Sequence, residues 1–147
     1  MKFLASYKLS ILFLSFAALL TTSCGSSRQT VVLEKDWEML GQSKVNFVRD
    51  VDEIDVTSDQ KFTSIRFRVE DRAVRLNELK VYFTNGDKLE PSLDDEIPAD
   101  QYSRIIDLNP EGRQIDRIQF KYRTTGNVLK GRANVLVLGK RYNQYGY

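Results

Sequence analysis

The stretch Ser64-Ile65-Arg66-Phe67-Arg68-Val69 alternates between polar and apolar residues. A period of two is typical of a β-strand that has one face on a hydrophobic core and the other face in water. The same alternation recurs elsewhere, with apolar residues at Ile54 and Val56, at Leu79, Val81 and Phe83, and at Ile118, Phe120 and Tyr122. Residues 133–138 are mostly apolar at both parities, which predicts a central strand.

Turn-forming residues separate these segments. Asn85-Gly86 predicts a two-residue type I′ hairpin turn, because both residues tolerate a positive φ. Pro110, between Asn109 and Gly112, predicts a second turn with a fixed φ. Further short strands are predicted at residues 36–40, 44–48 and 104–108. Together these signals predict an all-β fold, namely a jelly-roll-like antiparallel β-sandwich of about seven to nine short strands.

A hydrophobic leader precedes the strands. Lys2 and Lys8 bracket its basic start, residues 9–20 are almost entirely apolar, and three small residues then lead to Cys24. A basic start, an apolar stretch of roughly 7 to 15 residues and a small-residue site are typical of a secretory signal. We therefore expect residues 1–23 to form a helical signal peptide, residues 24–30 a polar tether, and residues 31–147 the β-sandwich domain.

Cys24 is the only cysteine of the chain, and it follows the small residues directly. This arrangement resembles bacterial lipoprotein signals, in which the sulfur of that cysteine receives a diacylglycerol. The alternative is an ordinary secreted protein with a cysteine near its cleavage site. Gly25 is not the aspartate that, in lipoproteins, favours retention in the inner membrane. The resemblance implies an outer-membrane lipoprotein of the cell envelope that faces the periplasm and meets the membrane through its N-terminal lipid.

Composition limits the chemistry. The chain contains no histidine, so the side chain best suited to proton transfer near neutral pH is absent. Removal of Lys2 and Lys8 with the leader would reduce the 22 basic residues to 20, equal to the 20 acidic residues, so the mature chain would be neutral. The export signal argues against a nucleic-acid partner. We expect a protein that is not an enzyme and that needs no cofactor and no metal.

Asp50 and Asp52 lie in the densest group of carboxylates. The simplest interpretation is that they pair with an arginine across the fold, either Arg104 or Arg113. Asp107, on the strand predicted around Arg104, belongs to the same candidate cluster. Two alternatives stay open, a calcium site built from carboxylate oxygens and a hydrolase centred on Asp50 and Asp52.

Several cations have the parity that faces away from the core. If their strands are neighbours, one face of the sandwich carries Arg66, Arg68, Lys80, Arg117, Lys121 and Arg123. Such a basic face would attract an anionic glycan or the phosphates of lipopolysaccharide. The plain alternative is a solvated sheet face whose charges prevent aggregation. Candidate sugar-stacking residues near the C-terminus are Tyr142, Tyr145 and Tyr147. Trp37, the only tryptophan, is interpreted as a core anchor.

Short motifs over residues 36–140 resemble a family of small secreted bacterial domains of unknown function. They are Trp37-Glu-Met-Leu40-Gly41, Asp50-Val-Asp52-Glu-Ile54-Asp-Val56, Phe83-Thr-Asn85-Gly86, Ser103-Arg104-Ile-Ile-Asp107-Leu108, Arg113-Gln-Ile115 and Val135-Leu-Val-Leu-Gly139. The resemblance implies an all-β sandwich outside the cytoplasm and brings no activity. We therefore expect a lipid-anchored envelope protein with a non-catalytic binding or structural role. A glycan- or lipopolysaccharide-binding module is the first alternative, and a protein partner in the envelope is also compatible with the sequence.

Overall fold

The structure is a computed structural model of the chain, and it describes residues 33–45, 51–124 and 132–144. The described residues form nine strands and no helix. The strands are β1 (Trp37–Val45), β2 (Val51–Asp55), β3 (Lys61–Glu70), β4 (Val74–Phe83), β5 (Lys88–Leu89), β6 (Asp95–Ile97), β7 (Ile106–Asp107), β8 (Arg113–Thr124) and β9 (Ala133–Arg141). Every pairing between them is antiparallel, so the predicted all-β antiparallel class is confirmed.

All nine strands belong to one hydrogen-bonded sheet with the order β1-β9-β3-β8-β4-β5, to which β2, β6 and β7 add at the sides. The prediction was two separate sheets. The single sheet arises because β8 is long enough to pair with three strands. Its first residues bond β3, at Lys61–Gln114 and Phe62–Arg113, while the rest of β8 bonds β4 on one side and β2 on the other. A sandwich of two independent sheets is therefore not confirmed.

The sheet has two halves that enclose the core. The β9 half contains β1, β9, β3 and β7, and the β8 half contains β2, β8, β4, β5 and β6. Phe67 of the β9 half meets Phe120 of the β8 half edge to face, with ring centroids 5.5 Å apart. At another point of contact, Gly41 of β1 lies so close to Ile54 of β2 that a methyl group at Gly41 would overlap that side chain. One core cluster contains buried residues from both halves, so each half has an inner face on the core and an outer face.

β9 is the central strand of its half, between β1 and β3, as its apolar sequence predicts. Its inner side chains Val135 and Val137 join the core cluster. Its outer side chains Leu136 and Leu138 are also buried, 2% and 0% exposed. The outer face of the β9 half is therefore shielded from water at these two positions.

The first predicted strands merge. Residues 36–40 and 44–48 were expected to be separate strands, but β1 runs without a break from Trp37 to Val45. A bulge between Met39 and Gly41 absorbs the irregularity, so the chain need not leave the sheet. Residues 46–48 lie outside the described part of the chain. The strand predicted at residues 104–108 is shorter, with only Ile106–Asp107 paired.

The hairpin at Asn85-Gly86 forms, but with a different turn. Gly86 has a φ of 89°, whereas Asn85 is absent from the described non-glycine residues with positive φ, so the turn is not type I′. The Gly86 amide donates to the Phe83 carbonyl, and the Phe83 amide donates to the Asp87 carbonyl, which gives a three-residue loop. The Asn85 side chain instead accepts from the Asp87 amide at 3.2 Å. The second predicted turn is confirmed by the bond from the Gly112 amide to the Asn109 carbonyl.

Candidate functional site

Arg66 is the only buried charged side chain among the described residues, 7% exposed as a whole residue. It lies in the middle of β3 on the outer face of the β9 half, and its backbone partner on β9 is Leu138. Alternation alone predicts that this position is solvated. It is buried because aromatic side chains from both flanks of β3 close over it.

Two rings cover the Arg66 guanidinium. Its Cζ lies 4.1 Å from the centroid of Trp37, at the start of β1, and 4.0 Å from the centroid of Tyr102, in the segment before β7. The Tyr102 backbone is held next to β3 by an isolated antiparallel bridge with Arg68. Stacking of this kind contributes roughly 2 kcal/mol when the cation is desolvated. We call Trp37, Arg66, Tyr102 and Arg68 the arginine–aromatic cluster.

The edge of the same guanidinium is less well satisfied. Oε1 of Glu34, in the segment that leads into β1, lies 3.3 Å from Nη2 of Arg66. This contact is an ion pair without hydrogen-bond alignment, and within the described part of the chain Nε and Nη2 are buried with no hydrogen-bond acceptor. The Glu34 side chain is 61% exposed, compared with 9% for that of Arg66. A buried cation is thus matched with a mostly solvated anion.

Arg68 completes the cluster. Its Nη1 donates to the Tyr102 hydroxyl at 3.2 Å, and its Nε lies 3.4 Å from Oε1 of Glu70. The hydrogen bond to Tyr102, with smaller contributions from the charges of Tyr102 and Glu70, raises the pKa of Arg68 above its already high value. The other Glu70 oxygen accepts from the Asn134 side chain at 3.1 Å. Arg68 is therefore fixed as a permanent cation beside Arg66.

The outer face of the β8 half is charged and open. Lys121 of β8 pairs with Glu78 of β4 at 3.3 Å. Arg117 lies 3.7 Å from Glu53 of β2, and its Cζ is 4.2 Å from the ring centroid of Tyr82. These contacts join opposite charges on neighbouring strands. Such a surface fits the plain alternative of the sequence analysis, a solvated sheet face.

Two shallow depressions adjoin on this open face. One, of about 230 Å³, is lined by Val51, Glu78, Lys80, Gln119 and Lys121. The other, of about 340 Å³, is lined by residues 77–80 and 90–93. Glu78 and Lys80 belong to both, so they stand between the two depressions.

The structure divides the predicted basic face. Arg66 and Arg68 belong to the β9 half, whereas the remaining four cations belong to β4 and β8 in the β8 half. The four are Lys80, Arg117, Lys121 and Arg123. Because both inner faces adjoin the same core, the two sets lie on different outer faces. Arg123 stands next to Arg75 across the β4–β8 ladder.

The predicted polar cluster is not brought together. Asp52 accepts a hydrogen bond from Ser43 at 2.7 Å. Asp107 accepts one from Ser64 at 3.0 Å. The expected pairing of Asp52 with Arg104 or Arg113 is absent from the described contacts because each arginine has a nearer carboxylate. Asp50 lies outside the described residues.

The two arginines are held by other carboxylates, Asp95 at the start of β6 and Asp87 in the loop between β4 and β5. Nε of Arg104 donates to Asp95 at 2.7 Å, and its Nη2 donates to the Ser92 carbonyl at 2.8 Å. Nη2 of Arg113 donates to Asp87 at 2.5 Å. Hydrogen bonds from Asn85 and then Arg113 lower the pKa of Asp87. Both arginines therefore fasten loops at the edge of the β8 half.

The remaining predicted site residues fall at the ends of the chain. Tyr142 is 37% exposed and packs against Gly112, while its amide donates to the Lys61 carbonyl at 2.7 Å. Tyr145, Tyr147 and Cys24 lie outside the described residues. Within the described ranges, no three acidic or cysteine side chains converge as metal ligands would. The calcium and hydrolase alternatives stay predictions.

Sequence reasoning missed Glu34 and Tyr102, and it treated Trp37 as a core anchor. Trp37 is buried, 7% exposed, but it is not a member of the central core cluster. Nothing in the local pattern marks Tyr102, which lies 34 residues from Arg68. The only signal for this cluster in the sequence was a single tryptophan at the start of a predicted strand, and the sequence did not show which strands lie beside it.

The family model described as Domain of unknown function (DUF2541) matches residues 10–139. The chain belongs to this family. The matched range begins inside the apolar leader and ends within β9, so it includes the whole arginine–aromatic cluster. No curated protein matches the chain. In the part of the chain that the structure describes, no helix has the length and apolar character needed to cross a bilayer.

Proposed function

We propose that this protein is a lipid-anchored component of the bacterial cell envelope, placed at the outer membrane, with a non-catalytic binding role. The observation that carries the proposal is the position of Cys24, directly after the small residues that end an apolar leader. An acyl chain contributes roughly 0.8 kcal/mol per buried methylene, so two or three chains would hold the domain durably at a bilayer. Gly25 in place of aspartate supports the outer rather than the inner membrane.

Metabolic labelling with palmitate and membrane fractionation test the anchor. The full-length chain should incorporate labelled palmitate and sediment with outer membranes. Cys24→Ser should lose the label and leave the membrane fraction, whereas Ser26→Ala, two residues away, should behave as the unmodified chain. A Cys24→Ser chain that still sediments with membranes, or an unlabelled product from the unmodified chain, would remove the proposal.

A second candidate is a module that binds an envelope glycan or lipopolysaccharide. It is favoured by the two adjoining depressions on the outer face of the β8 half, whose shared residues are Glu78 and Lys80. Carboxylate, amide and ammonium groups together can hydrogen-bond sugar hydroxyls, and Lys80 and Lys121 can attract anionic groups. The role of the terminal tyrosines in such a site remains a prediction.

Thermal unfolding with added acidic polysaccharide or lipopolysaccharide tests this candidate. A ligand at 100 times its dissociation constant adds about 2.7 kcal/mol to stability, which is a readily measured shift. Lys80→Gln should reduce the shift, while Lys61→Gln, on β3, should leave it unchanged. Equal shifts for both variants, or none for the unmodified chain, would exclude this face as the site.

A further inference from the structure

The feature that calls for an explanation is a buried cation whose hydrogen-bonding edge is incomplete. Arg66 keeps 9% of its side chain exposed, and its Nε and Nη2 are buried without acceptors among the described residues. An ionised group removed from water is strongly disfavoured unless its donors are matched. Among the described residues, Arg68 and Arg117 each leave only Nε without an acceptor, whereas Arg66 leaves two nitrogens of one edge unmatched. Arg104, by contrast, places Nε and Nη2 on two acceptors at 2.7 and 2.8 Å.

We propose that Arg66 is an oxyanion-binding residue, and that the Glu34 carboxylate is an internal anion that an incoming carboxylate or phosphate displaces. The site comprises Arg66, the rings of Trp37 and Tyr102, and the neighbouring cation Arg68. It deepens the binding role proposed above, but it does not depend on whether Cys24 is acylated.

The arrangement of rings determines which part of Arg66 a ligand can use. The ring centroids of Trp37 and Tyr102 lie 4.1 and 4.0 Å from Cζ of Arg66, which is a stacking distance. The two rings therefore occupy the flat faces of the guanidinium. The edge formed by Nε and Nη2 remains, and it presents two parallel N–H donors. Two coplanar acceptor oxygens match that fork, which is the geometry of a carboxylate or of two phosphate oxygens.

Glu34 shows that a carboxylate reaches this edge, because its Oε1 lies 3.3 Å from Nη2. It uses the edge poorly, with no aligned hydrogen bond to Nη2 and none to Nε. A carboxylate that is 61% exposed keeps much of its hydration in the pair, so it loses little when it moves fully into water. An oxyanion that engaged both donors would therefore replace it.

Arg68 increases the local positive charge without competing for the ligand edge. Its Nη1 is committed to the Tyr102 hydroxyl and its Nε faces Glu70. Tyr102 thus lies between the two arginines, 4.0 Å from Cζ of Arg66 and 5.2 Å from Cζ of Arg68. A ring fixed in this way keeps the Arg66 fork rigid, which reduces the entropy lost on binding.

Titration of the full-length chain in detergent tests the site. Inorganic phosphate and galacturonate, at constant ionic strength, are the two probes, and tryptophan fluorescence reports binding because Trp37 is the only tryptophan. Glu34→Ala removes the internal competitor and should tighten binding by up to about fivefold, the equivalent of about 1 kcal/mol. Tighter binding of phosphate than of galacturonate would identify a phosphate source, and the reverse a uronic acid source.

Two matched variants make the test decisive. Glu90→Ala removes an exposed carboxylate that pairs with Lys88 at 2.7 Å on the other half of the sheet, and it should leave both affinities unchanged. Arg66→Lys keeps the charge but removes the fork, and it should abolish binding. The proposal is overturned if Glu34→Ala binds no tighter than the unmodified chain, if Glu90→Ala gains as much, or if folded Arg66→Lys binds equally well. Should Arg66→Lys not fold, the two glutamate variants decide alone.

Discussion

The outer faces of the two halves carry arginines at the same strand parity and surround them differently. Arg66, on the β9 half, is stacked by two rings and is 9% exposed in its side chain. Arg117, on the β8 half, is stacked by the single ring of Tyr82 and is 41% exposed. Both also lie near one glutamate, so the two sites differ mainly in how far water is excluded.

That difference shows what decides whether a strand arginine is solvated surface or a confined cation. On the β8 half the neighbours across the ladder are charged, such as Glu78 opposite Lys121. On the β9 half the neighbouring strand contributes Leu136 and Leu138, so an apolar layer already lies beside Arg66 and Arg68. The residues that the neighbouring strands and segments place around the arginine, rather than the alternation of its own strand, determine its environment.

The largest effect is expected where the halves meet. Phe67→Ala and Phe120→Ala should each destabilise the fold by about 3 to 5 kcal/mol, because both side chains are almost fully buried and pack against each other. The double variant should lose less than the sum of the two, since the shared contact is removed only once. Urea unfolding measures all three, and full additivity would show that the halves do not depend on this contact.

Substitution of the two arginines tests the comparison directly. Arg66→Ala should destabilise by about 2 to 4 kcal/mol, through the loss of two desolvated stacking contacts and of buried side-chain area. Arg117→Ala should change stability by less than about 1 kcal/mol, because its pairings are exposed to water. The same urea experiment applies, and equal losses would contradict the difference between the two outer faces.

Removal of a single hydroxyl group should affect the two halves differently. Tyr102→Phe keeps the ring over Arg66 but removes the acceptor of the Arg68 bond, so a loss of about 1 kcal/mol is expected. Tyr82→Phe, on the other half, also keeps its ring and should have no measurable effect. Thermal unfolding of the two variants tests this, and an unchanged midpoint for Tyr102→Phe would mean that Arg68 does not depend on the hydroxyl.

The smallest effect concerns the exposed carboxylates of the β4–β5 hairpin. Hydrogen bonds from Asn85 and Arg113 lower the pKa of Asp87, and the bond from Lys88 lowers the pKa of Glu90. A carboxylate with a lowered folded-state pKa stabilises the protein above its unfolded value, near 4, and loses that contribution as the pH falls through the folded value.

The free energy of unfolding should therefore fall less steeply with decreasing pH below about pH 4 in Asp87→Asn and in Glu90→Gln than in the unmodified chain. Lys88 behaves oppositely, because Glu90 raises its pKa, so its contribution is present below its unfolded value and disappears at strongly alkaline pH. NMR titration of the carboxyl carbons gives the folded values directly. Ordinary pKa values for Asp87 and Glu90 would contradict the observed hydrogen bonds.

Sequence patterning predicted the strand class well because burial on one face leaves a period of two. Ile65, Phe67 and Val69 are all fully buried, as their spacing predicts. The central position of β9 also followed from its own residues. The predicted strand boundaries differ from the structure at β1, where a bulge allows one long strand in place of two short ones.

The candidate site could not be predicted because its residues meet only through pairing between distant strands. Trp37, Arg66 and Tyr102 come from three separate segments, and alternation contains no information on which strands are neighbours. For the same reason six cations of similar parity were placed on one face, although they belong to two halves. Arg104 binds Asp95 at the start of β6, and Arg113 binds Asp87 in the β4–β5 loop, whereas the sequence interpretation considered only Asp50 and Asp52 as partners.

The most direct test of the arginine–aromatic cluster is the Nε–H resonance of Arg66, followed by ¹⁵N-edited NMR as phosphate is added to the Glu34→Ala chain. The account predicts a resonance that exchanges slowly with water, is displaced by the two rings, and shifts progressively with phosphate, while that of the exposed Arg123 stays in place. An Arg66 resonance that exchanges as fast as that of Arg123, or that does not respond to phosphate, would contradict it.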